Sequence, residues 1–389
     1  MKIVVWAAEV TPYTIDPFIE LQKITNGPIL YLTWQITSKW RKDHGWEDYA
    51  NTGELTVIEF DHKKWWSQGI NIINLYKDAV HIFVGFWSVR YYFLFILFGL
   101  LKHIKIAIMN EPFSSGYFGY GDDDLFIINW IKVKLRPILY HLAAFFINLF
   151  SDDTPPVLLP ISLLAKEQLI RNGFKRDSIF PFGWFINKED KINHLDNTFS
   201  KDGELKISYL GSLIRRKGLT VAMEAMEILK NKRVNVKFDI YGPGRIEDYQ
   251  LCKYQKVNYL GVLPREKSQS TIAQYDLLLL PSFHDGWGVV VNEAILQGVP
   301  AIVSDTVGSK CILEKSGAGL IFRSGDSLQL ADIIEQLYTD PNKLLCLKNK
   351  CKSTAEKILP SVAANYLFKV FNFYFYHMRR SEIPDAIWC

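Results

Sequence analysis

The sequence predicts an α/β protein of two doubly wound, mostly parallel sheets that face each other across a cleft. Its 389 residues exceed the roughly 250–300 that one hydrophobic core usually spans, so two domains are expected. Short apolar runs alternate with longer helical segments, and this series occurs twice along the chain. With 49% hydrophobic and 22% charged residues, the composition excludes collagenous, coiled-coil and largely disordered chains.

The first series predicts six strands that are apolar at nearly every position, which is typical of parallel strands covered on both faces. They are expected at Lys2–Ala7, Ile29–Trp34, Leu55–Phe60, His81–Phe86, Lys105–Met109 and Ala144–Leu149. The intervening and following segments are long enough for helices, such as Leu163–Asn172, which ends at Gly173.

A polar, charged stretch without apolar periodicity, residues 187–204, is expected to link the domains. The first domain then covers residues 1–186 and the second covers 205–361, with a C-terminal helix at about 362–389 that packs back onto the first. The second series predicts strands at Lys206–Leu210, Lys237–Tyr241, Val257–Leu260, Leu277–Leu280, Ala301–Ser304 and Leu320–Phe322. Because parallel sheets bind ligands beyond the carboxyl ends of their strands, two such domains predict a ligand cleft between them.

Two apolar segments leave a membrane contact open. Tyr91–Leu101 is flanked by cations, but a helix of that length rises only about 16 Å, roughly half of the hydrocarbon core of a bilayer. It is expected either as a buried helix under the sheet or as a helix lying in the membrane interface. The aromatic segment Pro360–Arg380 is expected to pack across both domains, and interface contact through Arg379 and Arg380 is the alternative.

Charge and cysteine content predict a cytoplasmic protein, with the inner face of the membrane as an open alternative. A net charge of +4 is too small to indicate a nucleic-acid partner, although a local basic face could meet an anionic membrane. The 5 cysteines are dispersed and show no C-x-x-C spacing, so a reducing compartment is expected. Glu9 follows the N-terminus too soon for the apolar segment of a secretory signal.

A cationic loop follows the first strand of the second domain. Gly211–Gly218, GSLIRRKG, lies between that strand and a helix expected from Leu219. Glycines let a backbone come close to a ligand, and a helix N-terminus presents free N–H groups to an anion. Arg215, Arg216 and Lys217 would add charge-assisted hydrogen bonds to a diphosphate. A charge run is otherwise typical of a solvated face, and the loop lacks the G-K-[ST] of a Walker loop.

Pro281–Ala294, PSFHDGWGVVVNEA, is the most informative segment, with a helix expected from near Gly288. Asp285 lies just before the helix, where free N–H groups favour its ionised form. Glu293 lies about one and a half turns into the helix, where a buried carboxylate could accept from two vicinal sugar hydroxyls. An ordinary N-cap and a surface glutamate are the alternatives, but the apolar residues that follow favour a buried Glu293.

Five motifs between Leu210 and Gly325, taken together in their order and spacing, resemble those of the retaining glycosyltransferases of family 4. This family belongs to the glycosyl transferases group 1, and its GT-B fold has two Rossmann-like domains. The motifs are G-x5-K-G at Gly211–Gly218, Y-G-x-G at Tyr241–Gly244, P-S-x-x-D-G-W-G-x4-E-A at Pro281–Ala294, G-V-P at Gly298–Pro300 and S-D-x-x-G at Ser304–Gly308. The first domain matches the family only in the rhythm of its strands.

The resemblance implies a nucleoside-diphosphate-sugar donor on the second domain, no tightly bound cofactor and no metal ligand. It places Lys217 at the diphosphate, Glu293 at the ribose hydroxyls and Asp285 near the transferred sugar. The other implied donor contacts are Gly211, Ser212, Arg215, Arg216, Tyr241, Gly242, Gly286, Trp287, Gly288 and Val289, the last three through backbone N–H groups. It also implies retention at the anomeric carbon, with the departing phosphate taking the proton of the acceptor hydroxyl.

Three departures from the family pattern matter. Ser212 replaces the usual Arg after the first Gly, and Arg215 or Arg216 is expected to supply that cation. Asp285 replaces a common Glu, and a turn from Glu9 to Tyr13 replaces the usual Gly-Gly. Glu111 stands near the position of a usual His, although a turn carboxylate beside a proline is an equally good interpretation. The expected catalytic residues are therefore Asp285, Lys217 and Glu111.

The acceptor, a glycan or lipid-linked glycan of bacterial surface polysaccharide synthesis, is expected on the first domain. Aromatic and basic residues near its loops are the candidate contacts: Trp65, Trp66, Phe86, Trp87, Tyr117, Phe118, Tyr120, Lys63, Lys64 and Arg90. A non-catalytic nucleotide-sugar-binding partner protein remains the alternative, because of Ser212 and the missing His. An NAD-dependent dehydrogenase is disfavoured, since no G-x-G-x-x-G follows the first strand.

Overall fold

The computed structural model describes residues 1–43, 45–49, 51–116, 126–151, 155–189, 203–249, 251, 256–377, 386 and 388. The described chain forms two six-stranded sheets in which every strand pair is parallel, each flanked by helices. This architecture confirms the predicted doubly wound α/β class.

The first sheet has the strand order β3-β2-β1-β4-β5-β6. Its strands are β1 (Ile3–Ala7), β2 (Ile29–Thr33), β3 (Thr56–Glu59), β4 (Val80–Val84), β5 (Lys105–Asn110) and β6 (Val157–Pro160). Every residue of β1 and β2 is buried, whereas the edge strand β3 is largely exposed. Buried central strands explain the continuous apolar runs in the sequence.

Helices connect these strands and cover both faces of the sheet. They are α1 (Pro12–Thr25), α2 (Lys39–Asp43), α3 (Trp65–Leu75), α4 (Tyr92–Leu101), α5 (Phe126–Phe150) and α6 (Leu163–Arg171). At the start of α1, Thr11 and Thr14 form a reciprocal capping box and Pro12 occupies the first turn, where its missing N–H costs nothing.

The strand predicted at Ala144–Leu149 is wrong, because this segment is the last part of α5 and the sixth strand is Val157–Pro160. Ala144 and Ile147 are buried while Phe145 and Leu149 are exposed, which is the periodicity of a helix with one packed side. A short apolar run does not distinguish a strand from a buried part of a helix.

The apolar segment predicted at Tyr91–Leu101 forms α4 (Tyr92–Leu101), a helix with one side packed against the first domain and the other side exposed. Tyr92, Phe95 and Ile96 are buried, whereas Leu94 and Leu101 are exposed.

The second sheet has the order β12-β11-β10-β7-β8-β9, which repeats the strand order of the first sheet. Its strands are β7 (Leu205–Leu210), β8 (Val236–Tyr241), β9 (Val257–Tyr259), β10 (Leu277–Leu280), β11 (Ala301–Ser304) and β12 (Gly319–Phe322). The helices are α7 (Leu219–Asn231), α8 (Ser268–Ile272), α9 (Val289–Leu296), α10 (Lys310–Ser316), α11 (Ser327–Thr339), α12 (Pro341–Ala355) and α13 (Pro360–Tyr376). All six strands expected here from the sequence are confirmed to within one residue at each end.

Several contacts hold the two sheets in one arrangement. One buried apolar cluster extends from β1 and β2 through Phe182 and Phe185 to α9 and α13. Helix α13 packs against α1 of the first domain. The backbone N–H of Asn187 donates to Oδ2 of Asp16 at 3.3 Å, and Nε2 of Gln269 donates to the carbonyl of Asn187 at 2.8 Å. Most of the expected linker, together with Arg379 and Arg380, lies outside the described residues.

Candidate active site

The strand order of each sheet creates a crevice at the carboxyl ends of its central strands. After β1 the chain continues toward one edge of the first sheet, and after β4 it continues toward the other edge; β7 and β10 are related in the same way in the second sheet. Ligands of such sheets bind in the crevice between the two central strands, beyond their carboxyl ends. A first-domain cavity of about 600 Å³ and a second-domain cavity of about 210 Å³ lie there. Tyr13 lines both cavities, so they adjoin across the cleft.

The second-domain cavity is formed by the turns that follow β7 and β8 and by the first turns of α9. Those elements contribute Leu210, Gly211, Ser212, Tyr241, Gly242, Pro243, Val289, Val290 and Glu293. Trp40 and Trp46 of the first domain line the same cavity. The second-domain side of the cavity is therefore mainly apolar with the carboxylate of Glu293 among its residues, and aromatic residues form the facing wall.

Gly242 allows two of these turns to approach each other closely. Its φ of +140° is one that residues with side chains rarely adopt, and a Cβ there would fall on the backbone carbonyl of Gly211. The N–H of Gly211 donates to the carbonyl of Tyr241 at 3.0 Å, which joins the ends of β7 and β8. The Y-G-x-G signal therefore has a structural reason in the shape of the cavity.

Among the residues that the structure describes, Glu293 contributes the one carboxylate that lines the second-domain cavity. It is 5% exposed, and its Oε1 lies 3.3 Å from Nη2 of Arg265. Burial raises the pKa of Glu293, while the charge of Arg265 and the hydroxyl of Ser268 oppose that rise. Arg265 also lies 5.7 Å from the ring centre of Trp46, so it connects the carboxylate to the first domain.

A second group of charges surrounds Asp285, in the loop between β10 and α9. Nζ of Lys217 lies 2.5 Å from Oδ2 of Asp285, and Nη1 of Arg216 donates to the carbonyl of His284 at 3.0 Å. Burial would raise the pKa of Asp285, but the charges of Lys217 and Arg216 outweigh burial and hold the pKa below its ordinary value. Asp285 is therefore ionised at neutral pH, as the sequence predicts.

Glu111 approaches this group from the first domain. Its Oε1 accepts a hydrogen bond from Nε1 of Trp184 at 2.6 Å, and a Cβ built on Gly286 would lie 2.9 Å from its Oε2. The Glu111 side chain remains exposed on the side that lines the first-domain cavity. Desolvation by the surrounding protein atoms raises the pKa of Glu111. The hydrogen bond from Trp184 opposes this rise, and the negative charge of Asp285 adds to it. Glu111 of the first domain and Asp285 of the second domain are therefore close enough to interact electrostatically, and Lys217 and Arg216 lie beside Asp285 on the second-domain side.

The structure divides the predicted donor residues into groups. Gly211, Ser212, Tyr241, Gly242, Val289 and Glu293 line the second-domain cavity, while Arg216, Lys217 and Asp285 form the ion cluster. Arg215 is exposed in the turn before α7.

Trp287 and Gly288 shape the entry to α9. The Trp287 side chain is buried in the core and donates to Oδ1 of Asn292 at 2.9 Å, so only its backbone is placed to meet a ligand. Gly288, with φ of +85°, precedes the first residue of α9 and turns the chain into the helix.

The acceptor residues predicted on the first domain are dispersed. Phe86 and Trp87 line the first-domain cavity, whereas Trp65 and Trp66 pack against Tyr91 and Phe95. Lys63, Lys64 and Arg90 are not among the described residues that line either cavity, and Tyr117, Phe118 and Tyr120 lie outside the described residues.

A polar cluster on the first domain has no counterpart among the predicted contacts. Nε of Arg41 lies 2.7 Å from Oε2 of Glu9, and Nη2 of Arg41 donates to the hydroxyl of Tyr13 at 2.5 Å. All three residues line the first-domain cavity. The position of Glu9 directly after the central strand is the signal that could have identified it. Among the described residues, no group of three or more His, Cys, Asp or Glu side chains could hold a metal ion.

Residues 190–357 match the family described as Glycosyl transferases group 1. The second domain is a group 1 glycosyltransferase domain. The chain is 29% identical over 272 residues to the amylovoran biosynthesis glycosyltransferase AmsK of Erwinia amylovora, covering 61% of this chain and 65% of AmsK. It is 31% identical over 164 residues to the uncharacterized glycosyltransferase MJ1607 of Methanocaldococcus jannaschii, covering 40% of each. The alignments thus span less than two thirds of the length of these two relatives.

The similarity of the fold extends over nearly the whole chain. The crystal structure of Anabaena HepE in complex with UDP-glucose superposes with a TM-score of 0.68 at 13% identity, covering 96% of this chain and 99% of HepE. The fold of the chain is therefore GT-B, as the sequence predicts.

Proposed function

We infer that the chain is a retaining glycosyltransferase of family 4 that moves a sugar from a nucleoside-diphosphate sugar to a glycan or glycolipid acceptor. The observation that carries this inference is the pair of adjoining cavities at the carboxyl ends of two facing sheets, one of them containing the buried Glu293. The order of the five motifs supports family 4. The name of AmsK, an amylovoran biosynthesis glycosyltransferase, supports a role in bacterial surface polysaccharide synthesis.

The donor nucleoside is assigned to the second-domain cavity. The Glu293 carboxylate would accept hydrogen bonds from the two ribose hydroxyls, and Arg265 favours the ionised form that this requires. The turns at Gly211 and Gly242 provide a close backbone approach for the base. Trp40 and Trp46 offer aromatic surfaces on the facing wall.

The diphosphate is assigned to the mouth of the same cavity, between the ion cluster and the first turn of α9. Lys217 and Arg216 supply positive charge, and the first N–H groups of the eight-residue helix α9 have no partners within the helix. In the proposed step the bond from the anomeric carbon to the diphosphate oxygen breaks, and the acceptor oxygen bonds to the same face of that carbon. The acceptor proton passes to the departing phosphate oxygen, and Lys217 and the helix amides stabilise the charge that develops there.

The acceptor is assigned to the first-domain cavity, where Glu111 and the cluster of Glu9, Arg41 and Tyr13 lie. Asp285 remains ionised on the opposite wall, where its carboxylate would contact hydroxyls of the transferred sugar. Glu111 would orient the acceptor hydroxyl from the first domain. Both carboxylates act here by positioning and charge, and the leaving diphosphate is the base.

The test combines a donor screen with one site variant and one control. The purified protein is incubated with UDP-, GDP- and ADP-sugars, and hydrolysis or transfer is followed by mass spectrometry. NMR of the product then reports the anomeric configuration, and retention is expected. Glu293→Gln should weaken nucleotide binding at least about tenfold, because the neutral amide can accept through one oxygen only. Glu227→Gln, which changes a half-exposed glutamate on α7 away from the cavity, should leave nucleotide binding unchanged.

Three results contradict the proposal. Nucleotide affinity that is equal in Glu293→Gln and in the wild type removes the donor site from this cavity. Binding of a nucleotide sugar without hydrolysis or transfer in the presence of varied acceptors favours the non-catalytic binding protein. A product of inverted configuration excludes the retaining mechanism.

A further inference from the structure

Helix α5 carries a long apolar stripe on its outer side. Its members share an exposure of 45–63% and recur every three or four residues: Ile127, Ile131, Leu135, Ile138, Leu142, Phe145 and Leu149. At about 100° per residue this spacing keeps them on one face over about 33 Å of helix. Within the described part of the chain, residues 127–150 are the one helix long and apolar enough to cross a bilayer. An exposed apolar surface of this length is characteristic of a binding face.

The opposite side of α5 is fixed to the first domain. Ala143 and Ile147 lie in the buried core, and the hydroxyl of Tyr140 donates to Oδ1 of Asn110 at 3.0 Å. Nδ2 of Asn148 donates to the carbonyl of Gly173 at 3.0 Å. A crossing helix would have to break these contacts, whereas a helix lying parallel to a membrane surface keeps them. The structure therefore favours an interfacial orientation.

The charge of the helix is of one sign. Lys132, Lys134 and Arg136 lie in its first half, and no Asp or Glu occurs between Phe126 and Phe150. Helical geometry places Lys134 at one edge of the stripe and Lys132 beyond the other. The three aspartates at 122–124 precede the helix and lie outside the described residues. Cations beside an apolar stripe complement the phosphate groups of an anionic membrane.

A second copy of the chain is a poorer occupant of this surface. In a two-fold pair of α5 helices packed through the stripe, both copies would bring cations and no acidic side chain of α5 to the same contact. Like charges at such a contact are destabilising, and the helix offers no acidic residue to pair with them. An anionic membrane surface is complementary to both the apolar stripe and the positive charge of the helix.

We propose that α5 docks the protein on an anionic phospholipid bilayer, with the α5 stripe in the lipid interface. Arg136, Leu139 and Tyr140 of the same helix line the first-domain cavity. A glycan attached to a lipid at that interface would therefore enter the cavity from the membrane side. That the acceptor is a lipid-linked glycan rests on the proposed function.

Sedimentation with lipid vesicles tests the docking. Wild-type protein should bind phosphatidylcholine vesicles containing about 30% phosphatidylglycerol more tightly than pure phosphatidylcholine, and binding should weaken from about 50 to 500 mM NaCl. Ile138→Glu/Phe145→Glu should reduce partitioning at least about 30-fold, since two apolar contacts are lost. The matched control is Leu328→Glu/Leu345→Glu, which alters two residues of similar exposure on the second domain and should bind like the wild type.

A second variant keeps the test independent of the folding of the first. Lys132→Gln/Lys134→Gln should bind the anionic vesicles about tenfold or more weakly, with less dependence on salt. No binding by the wild type, equal binding by Ile138→Glu/Phe145→Glu, or a stable dimer in light scattering that this variant abolishes would each overturn the proposal.

Failure of the proposed function would give a different pattern. Glu293→Ala should still bind vesicles, because the donor site lies in the other domain. Ile138→Glu/Phe145→Glu should keep the wild-type rate on a water-soluble acceptor and lose rate only on a vesicle-embedded one. Equal loss on both acceptors would contradict the membrane role of the stripe.

Discussion

Replacing Lys217 with Met leaves the carboxylate of Asp285 without its direct ion-pair partner. The two side chains are 16% and 11% exposed, and the atoms that pair lie 2.5 Å apart. Two unit charges about 4 Å apart attract by about 4 kcal/mol at an effective dielectric constant of about 20. Removing one partner of a buried pair typically costs about 3–5 kcal/mol of unfolding free energy. Because the charge of Arg216 also favours the ionised Asp285, we expect the lower end, about 3 kcal/mol.

The assay is a double-mutant cycle in urea, followed by tryptophan fluorescence. Lys217→Met and Asp285→Asn should each destabilise the protein, and the double variant should lose about 2 kcal/mol less than the sum of the two. Lys230→Met is the control, because Lys230 lies 3.9 Å from Glu227 in an exposed pair. That variant should change stability by less than about 0.5 kcal/mol.

Two results would refute this reasoning. A loss below about 1 kcal/mol for Lys217→Met would mean that Asp285 does not depend on this cation. Losses that add to within about 0.5 kcal/mol in the double variant would mean that the two side chains do not interact in solution.

Three further changes have expected outcomes. Gly218→Ala should lower the free energy of unfolding by about 2–3 kcal/mol, since φ is +68° and the new Cβ would meet the carbonyl of Pro281. The control Gly203→Ala has a similar φ of +63° but open space around the Cβ, and should cost only about 1 kcal/mol. Equal melting temperatures for the two variants would contradict the contact with Pro281. Gly286→Ala should lower the free energy of unfolding by about 1–2 kcal/mol, because the new Cβ would press on the carboxyl group of Glu111. Adding Glu111→Ala should restore the lost stability. If thermal melts of the double variant show no recovery, the contact is not the cause. Burial lowers the pKa of His81 from 6.5 to about 4, so protonation favours the unfolded chain and up to about 3 kcal/mol should be lost as the pH falls from about 6.5 to 4. The midpoint of urea unfolding should fall less steeply with decreasing pH in His81→Gln than in the wild type. An identical dependence on pH in the two proteins would exclude His81 as the source of the loss.

The residues around His81 show why its environment could not be predicted from the sequence. Nδ1 accepts from the indole Nε1 of Trp6 at 3.1 Å, and Nε2 lies 3.0 Å from the carbonyl of Tyr76. Because an indole N–H can only donate, the proton of His81 lies on Nε2. The sequence places His81 in an apolar strand, but the pairing with Trp6 arises only when β1 and β4 lie side by side.

The candidate site likewise contains some features that local sequence predicts and others that depend on tertiary packing. The turns after β7 and β8 and the start of α9 follow buried strands directly, so their location at one sheet edge could be predicted from local sequence. The partner of Glu293 could not, because Arg265 lies on another segment and its contact depends on how α8 and α9 pack. The approach of Glu111 to Gly286 likewise depends on the position of one domain relative to the other.

The sequence alone determined the doubly wound class, the strands of the second domain and the loops that carry its polar residues. Continuous apolar runs, glycines and helix starts are local signals, and each depends on residues that are neighbours in the chain. Only the tertiary structure decided that Ala144–Leu149 continues a helix, that Trp287 belongs to the core, and that Lys217 pairs with Asp285. The physical reason is that burial and ion pairing depend on segments far apart in the sequence, which folding brings together at the ends of parallel strands.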